Sequence, residues 1–264
     1  MASKRSFTNR DFLDWVRDYL PNDAAVQETG ADGRPGAAVP HPGLNPNTFY
    51  YFEADVMEGF SHAIGDLALE EANGTVLAAM QDFQDFEQYR ECVVQLASTI
   101  DRVELVGAGR VPPNVRHVKC IRDTQGTCRS FRVVLYEGRR VQVMLAGREL
   151  EASAGAGGRP FVGLYTLDAR LIRHFHTELL DAAQGRAAAL RTFLRLQAID
   201  LAAKQIQQEF RRETAALDQA MHRLQFDPTN YRPAQFALDL EKGLSRLQEW
   251  KRRLPELVAR AETT

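Results

Sequence analysis

Between residues 49 and 183 the chain alternates short apolar runs with segments of helical period. Thr75–Phe83 is apolar and bounded by turn residues, which is typical of a buried strand. Residues 86–100 place apolar side chains three and four positions apart, and Arg102–Ala108 is a second apolar run. A strand, a helix and a strand within about 35 residues have the size of one parallel βαβ unit.

Further β-type runs follow this unit. The pattern predicts strands over residues 115–121, 130–137, 140–145 and 161–165, and Gly138 is typical of a hairpin turn between two of them. A helix is predicted after Asp168, which is a suitable N-cap residue. We therefore predict an α/β domain over residues 49–183, with a mixed sheet that is parallel in one half and antiparallel in the other, and helices packed on it.

The flanking segments differ from this domain. In residues 1–48, Thr8 is a suitable N-cap for a helix over residues 9–20. Residues 22–46 are rich in glycine and proline, which predicts a loop or mobile linker.

Residues 185–264 show no strand pattern. Two amphipathic runs separated by a turn at residues 226–233 predict a long helical hairpin. Its apolar seam closes either internally or against a second chain. We expect the second case, a homodimer, and predict these interface residues: Ile199, Ile206, Phe210, Leu217, Met221, Leu240 and Leu247.

Charge and cysteine content narrow the classes of function. The chain has 33 Lys and Arg and 35 Asp and Glu, a net charge of −2. This overall charge does not favour a dedicated nucleic-acid-binding protein, which is usually basic. Even so, basic residues on the two long helices leave a dimeric nucleic-acid-associated regulator as the alternative function. No apolar run is long enough to span a bilayer. Three cysteines without a framework spacing favour a reducing compartment, and we expect a cytoplasmic protein.

Motifs for chemistry are weak. The glycine strings at residues 107–109 and 155–158 lack the residues of a phosphate loop. His174 and His176 are two apart on a predicted helix, so they diverge, and His117 and Cys120 would point to opposite faces of one strand. With no nucleophile, base or metal set, we predict that the protein is not an enzyme, and the sequence indicates neither a metal nor a particular cofactor.

One family resemblance extends over roughly residues 49–183. Residues 61–66 (SHAIGD) resemble a helix of the DICT domains, sensory domains of diguanylate cyclases and two-component systems. The strand at 76–83, Tyr89, the strand at 131–135 and residues 159–168 (RPFVGLYTLD) are similar to further family segments. Gly65 stands where the family usually has glutamate, and Phe131 where tryptophan is common.

The resemblance implies sensing without catalytic residues. We expect the domain to bind a small molecule or partner and to act on a signalling protein through the C-terminal helices. His62 and Asp66 lie one helical turn apart, so they could present a polar pair to a ligand enclosed by aromatic side chains. The predicted ligand-binding residues are His62, Asp66, Phe83, Tyr89, Phe161 and Tyr165.

Overall fold

The structure is a computed structural model of the chain. It describes residues 7–20, 26–113, 115–124, 126–150, 160–183, 189–226 and 233–263. Contacts divide these residues into two units, one within residues 1–29 and 35–194 and the other within 30–34 and 195–264.

The described residues form six α-helices and nine strands. The helices are α1 (Asn9–Arg17), α2 (Ala54–Glu71), α3 (Phe86–Thr99), α4 (Ala169–Ala183), α5 (Ala189–Phe226) and α6 (Pro233–Thr263). The strands are β1 (Val26–Thr29), β2 (Pro35–Val39), β3 (Tyr50–Phe52), β4 (Thr75–Asp82), β5 (Arg102–Ala108), β6 (Val118–Arg122), β7 (Phe131–Glu137), β8 (Gln142–Glu149) and β9 (Phe161–Thr166).

All nine strands form one mixed sheet, in the order β2-β1-β3-β9-β8-β7-β4-β5-β6. The pairs β4–β5 and β5–β6 are parallel, and the remaining pairs are antiparallel. The predicted α/β class and mixed sheet are confirmed. The unit β4–α3–β5 is the predicted parallel βαβ unit, and β7 and β8 form the hairpin predicted at Gly138.

Helices cover both faces of the sheet. On one face, α2 packs on β7 and β8, and α3 packs on β5. On the other face, α4 packs on β5, β6, β7 and β8. The alternation of strand residues produces this division, because neighbouring side chains point to opposite faces. Val103 and Leu105 of β5 belong to the core beneath α2 and α3, and Glu104 between them contacts His176 of α4.

The prediction of a loop or linker over residues 22–46 is wrong at β1 and β2, which lie within that segment. β1 and β2 pair with each other, β1 pairs with β3, and β3 joins the sheet through Tyr51 opposite Val162. Short strands rich in glycine and proline carry almost no local signal, and distant pairing decides their structure. β2 is one of the two edge strands, with Pro35 at its first position, where proline is tolerated.

The domain boundaries move accordingly. β1 and β2 belong to the same unit as the domain predicted to begin at residue 49. The predicted boundary at residues 184–185 lies outside the described residues. Contacts place the change of unit between Leu194 and Arg195, because Phe193 in the first turns of α5 is buried in the first unit.

The N-terminal helix is fastened by polar contacts as well as by apolar ones. Thr8 and Asp11 form a reciprocal capping box at the start of α1. The side chain of Asn9 donates to the carbonyl of Leu44 at 3.1 Å. The buried Tyr165 hydroxyl lies 2.9 Å from both Asn9 Oδ1 and that same carbonyl.

In the second unit, α5 and α6 lie side by side. The rings of Phe210 and Trp250 are 5.2 Å apart, and Arg253 reaches Glu209 at 3.8 Å. These contacts support the predicted hairpin, although its turn at residues 227–232 lies outside the described residues. No described helix is long and apolar enough to cross a membrane.

The predicted interface residues of this unit differ in exposure. The side chains most open to solvent are Ile199 (53% exposed), Met221 (55%) and Phe210 (44%). Ile206, Leu240 and Leu247 are half-buried, and the side chain of Leu217 lies outside the described part of the chain.

Replacing Tyr165 by Phe is expected to lower the free energy of unfolding by about 1–2 kcal/mol, because Asn9 and the Leu44 carbonyl lose a buried partner. Chemical denaturation measures the change. Tyr89→Phe is the matched control, since that hydroxyl bonds to no residue that the structure describes. Equal stability of the two variants would contradict the role of Tyr165 in docking α1.

Candidate functional site

A mainly apolar cavity of about 150 Å³ lies between α2, α3 and the strands β4, β5 and β7. Its apolar wall consists of Ala78, Ala79, Met80, Tyr89, Val93, Leu96, Val103, Leu105, Phe131 and Val134. The wall includes the carboxyl-terminal half of β4 and the start of α3. Ligands of α/β proteins usually bind at this end of a strand.

Gly65 contributes empty space to this cavity. It lies within α2 and is buried, yet a Cβ atom built on it would have no heavy atom within 4 Å. Glycine inside a helix lowers the free energy of unfolding by about 0.5–1 kcal/mol relative to alanine. Gly65 therefore makes α2 less stable at a position where alanine would fit. Gly65 and Phe131, the two positions that depart from the DICT pattern, both line this cavity.

Polar side chains lie at the mouth of the cavity. His62 lies 3.6 Å from Glu58 one turn earlier on α2, and its ring stacks on Tyr19 at a centroid distance of 5.9 Å. The Tyr19 hydroxyl donates to Asp66. The arrangement holds His62 between a carboxylate and an aromatic ring.

The six predicted ligand-binding residues do not form one site. His62 and Tyr89 line the cavity. Asp66 is bonded to Tyr19, and Phe83 is buried against Gly107. Phe161 lies beneath the guanidinium of Arg132, and Tyr165 is buried near Phe12 and Phe60.

The acidic residues near the end of β4 have separate roles. Asp85 lines the cavity. Asp82 accepts from the Gln84 amide at 2.9 Å, and Glu87 pairs with Arg90 at 2.6 Å. Only one of the three carboxylates therefore faces the cavity.

Phe131 connects the cavity wall to α5. Its ring packs edge-on against Phe193 at 4.9 Å, and Phe193 also packs edge-on against Phe49 at 5.4 Å. Phe193 is fully buried in the first unit, and α5 continues from it to Phe226 in the second. Phe131 thus borders the cavity at the start of β7, while its ring packs on Phe193 of α5 on the other face of the sheet.

A buried ion cluster lies on the opposite face of the sheet. Glu104 of β5 is 1% exposed and lies 3.0 Å from His176 Nε2 and 3.1 Å from Lys119 Nζ. His176 Nδ1 lies 2.5 Å from Glu137 of β7. The sequence pattern does not predict this cluster, because its residues come from four elements; the one local indication is a single acidic residue, Glu104, within the apolar run of β5.

The cluster favours the ionised form of Glu104. Burial would raise the pKa of this carboxyl, but hydrogen bonds from His176 and Lys119 and their positive charges outweigh burial, so the pKa lies below its ordinary value. His176 can donate to both glutamates only when both ring nitrogens carry protons. The contacts of His176 with Glu104 and Glu137 attach α4 to β5 and β7.

All three thiols have a raised pKa, which disfavours the reactive thiolate. Burial raises the pKa of Cys92, Cys120 and Cys128, and for Cys128 burial with nearby Asp123 raises it to about 12. His117, which the sequence analysis placed on a strand with Cys120, lies in a left-handed turn before β6, at φ 65°. No group of three metal-ligating side chains occurs among the described residues.

No protein-family model, curated protein or solved structure matches this chain.

Replacing Glu104 by Gln is expected to lower the free energy of unfolding by about 3 kcal/mol at pH 7, because His176 and Lys119 lose a buried carboxylate. A carboxyl with a lowered pKa stabilises the fold above its ordinary pKa of about 4.3 and loses that effect as pH falls further. The difference between variant and wild type should therefore shrink below pH 4.

Thermal unfolding between pH 3 and pH 7 measures this difference. Glu87→Gln is the matched control, because Glu87 is a fully exposed partner of Arg90, and its melting temperature should follow the wild type at every pH. A difference between Glu104→Gln and wild type that stays constant over the whole range would show that the ionised carboxylate is not the stabilising group.

Proposed function

We propose that the protein is a non-enzymatic sensory or adaptor protein of the cytoplasm. In this proposal its DICT-like α/β unit binds a small molecule in the cavity beneath α2 and α3. Occupancy of the cavity changes the C-terminal helices, which act on a signalling partner. The observation that carries the proposal is Phe131, which lines the cavity and packs on Phe193 of α5.

The contacts supply a physical route for such a signal. A ligand in the cavity would act on the start of β7 at Phe131, whose ring on the other face of the sheet packs on Phe193. Packed aromatic rings transmit displacement because protein interiors have few voids into which they can relax. α5 extends over 38 residues, so a change at its start acts on one continuous helix.

The proposal includes a homodimer formed through α5 and α6. Ile199 and Met221 are more than half exposed, and Leu244 is nearly so. Each fully buried aliphatic side chain contributes about 1.5–3 kcal/mol relative to exposure, which favours an association that covers them. A symmetric pair of hairpins covers the same side chains on both copies and has the four-helix geometry common in bundles.

A nucleic-acid-associated regulator remains the alternative function, and the ion pairs of the second unit argue against it. Lys204 pairs with Asp200 at 3.0 Å, and Arg253 pairs with Glu209. Cations already paired with carboxylates gain less from phosphate contacts. DNA retention that weakens steeply with salt would favour this alternative over the sensory proposal.

The coupling is testable without knowing the ligand. Replacing Gly65 by Leu fills the cavity with a side chain and is expected to change amide hydrogen exchange along α5. Coupling energies between sites are about 0.5–2 kcal/mol, so exchange rates should change roughly 2- to 30-fold. Adding Phe193→Ala to Gly65→Leu should abolish the difference, because the contact with Phe131 is lost.

Val94→Leu is the control for the exchange experiment, since it adds a methylene on the exposed surface of α3. It should leave α5 unchanged. If α5 exchanges alike in wild type and Gly65→Leu, the cavity does not communicate with the hairpin and the sensory proposal fails.

Replacing Ile199 and Met221 together by Asp is expected to convert the dimer into a monomer, because two charges per chain would enter an apolar interface without partners. Light scattering at micromolar concentration measures the mass. Gln207→Asp with Gln208→Asp is the matched control, as it adds the same charge to exposed polar positions of α5. A wild-type protein that is already monomeric under these conditions would contradict the homodimer.

A further inference from the structure

We infer that the cavity beneath α2 and α3 accepts a neutral, ring-sized apolar molecule with one hydrogen-bonding group. This inference rests on the proposed ligand-binding function and specifies its ligand. The size of the space, the charges around it, the gap at Gly65 and one unpaired hydroxyl support it.

The size of the cavity limits the ligand to about one ring. Its volume is about 150 Å³. Engineered cavities of about this volume with apolar walls bind benzene. Typical sites for larger ligands have roughly 300–1,000 Å³, so a nucleotide or other large cofactor would extend beyond the cavity into solvent.

The wall of the cavity disfavours a charged ligand. Val93, Leu96, Val103 and Leu105 offer no compensation for the lost hydration of an ion. The ionic groups of the wall are open to solvent: Glu58 and His62 are exposed, and Arg132, whose guanidinium lies 5.6 Å from the centroid of the Phe161 ring, is partly exposed. Asp85 is exposed at the mouth. An ionised ligand would therefore enter without a buried counter-ion.

The gap at Gly65 indicates where the ligand lies. Because a Cβ atom would meet nothing within 4 Å, alanine at this position would both favour the helix and fill part of the void. Glycine instead leaves room for one more atom or ring edge above the α2 backbone. The ligand is expected to occupy this space.

Two hydroxyl groups of the wall can form hydrogen bonds with a ligand. Tyr89 lines the cavity, and its hydroxyl bonds to no residue within the described ranges. Ser61 donates its proton to the Met57 carbonyl at 2.7 Å, so its oxygen is left to accept. A ligand with a single hydroxyl or N–H group matches this capacity.

The test uses the full-length protein and four probes of similar size: toluene, phenol, benzoate and benzylamine. Toluene and phenol are expected to raise the melting temperature, phenol by about 5–10 °C at 100 times its dissociation constant. Benzoate and benzylamine should cause no shift at the same concentration. Tyr89→Phe should weaken phenol binding while leaving toluene binding unchanged.

Gly65→Ala separates binding from folding. Without a probe its melting temperature should rise by about 2–4 °C, because glycine is replaced in a helix where alanine fits. The same variant should bind toluene and phenol at least tenfold more weakly than wild type. Ser98→Ala is the control, since it favours helix α3 on its exposed side and does not line the cavity.

Two results would overturn the inference: charged probes that bind as well as phenol, or unchanged phenol affinity in Gly65→Ala. Hydrogen exchange of α5 with bound phenol distinguishes the ligand class from the proposed function. Phenol that binds in the cavity without altering α5 would support the ligand class and refute the sensory function.

Discussion

The fold depends on the need to cover both faces of a sheet whose centre is apolar on both sides. Parallel strands such as β4 and β5 require helices above and below, because their side chains alternate between two buried faces. α2 and α3 supply one layer, and α4 with the first turns of α5 supplies the other. α5 is therefore both part of the sheet's cover and the beginning of the second unit, and the cavity lies where the first layer covers the sheet incompletely.

The local spacing of apolar residues was sufficient to predict the strands and helices that bury a whole face. β4, α3 and β5 follow from apolar spacing alone, and the long helices α5 and α6 follow from steps of three, four and seven. β1, β2 and β3 could not be predicted in this way. They are three to five residues long, and pairing with other strands determines their structure. β1 pairs with β2 and β3, and β3 pairs with a strand more than a hundred positions away, as Tyr51 opposite Val162 illustrates.

The candidate site was predictable in part, for a similar reason. His62 and Tyr89 lie on helices whose faces can be read from spacing, and both line the cavity. Tyr165 and Phe161 belong to a strand buried on both faces, and the sequence alone does not distinguish core from pocket there. Gly65 matters because no atom lies near the place of a Cβ atom, and no sequence pattern shows such a gap. Glu104 and His176 are 72 positions apart, so no local pattern predicts their contact.

The bond from Tyr165 to Asn9 also has a consequence for synthesis of the chain. The two residues are 156 positions apart, and β3 pairs only with β1 and β9. At about 5–20 residues per second, a ribosome needs roughly 8–30 seconds to extend the chain between them. During that interval α1 can pack on α2, where Phe60 contacts Phe12, but the side of its docking surface that Tyr165 supplies is absent. α1 can therefore complete its docking only after β9 has been synthesised, long after its own residues.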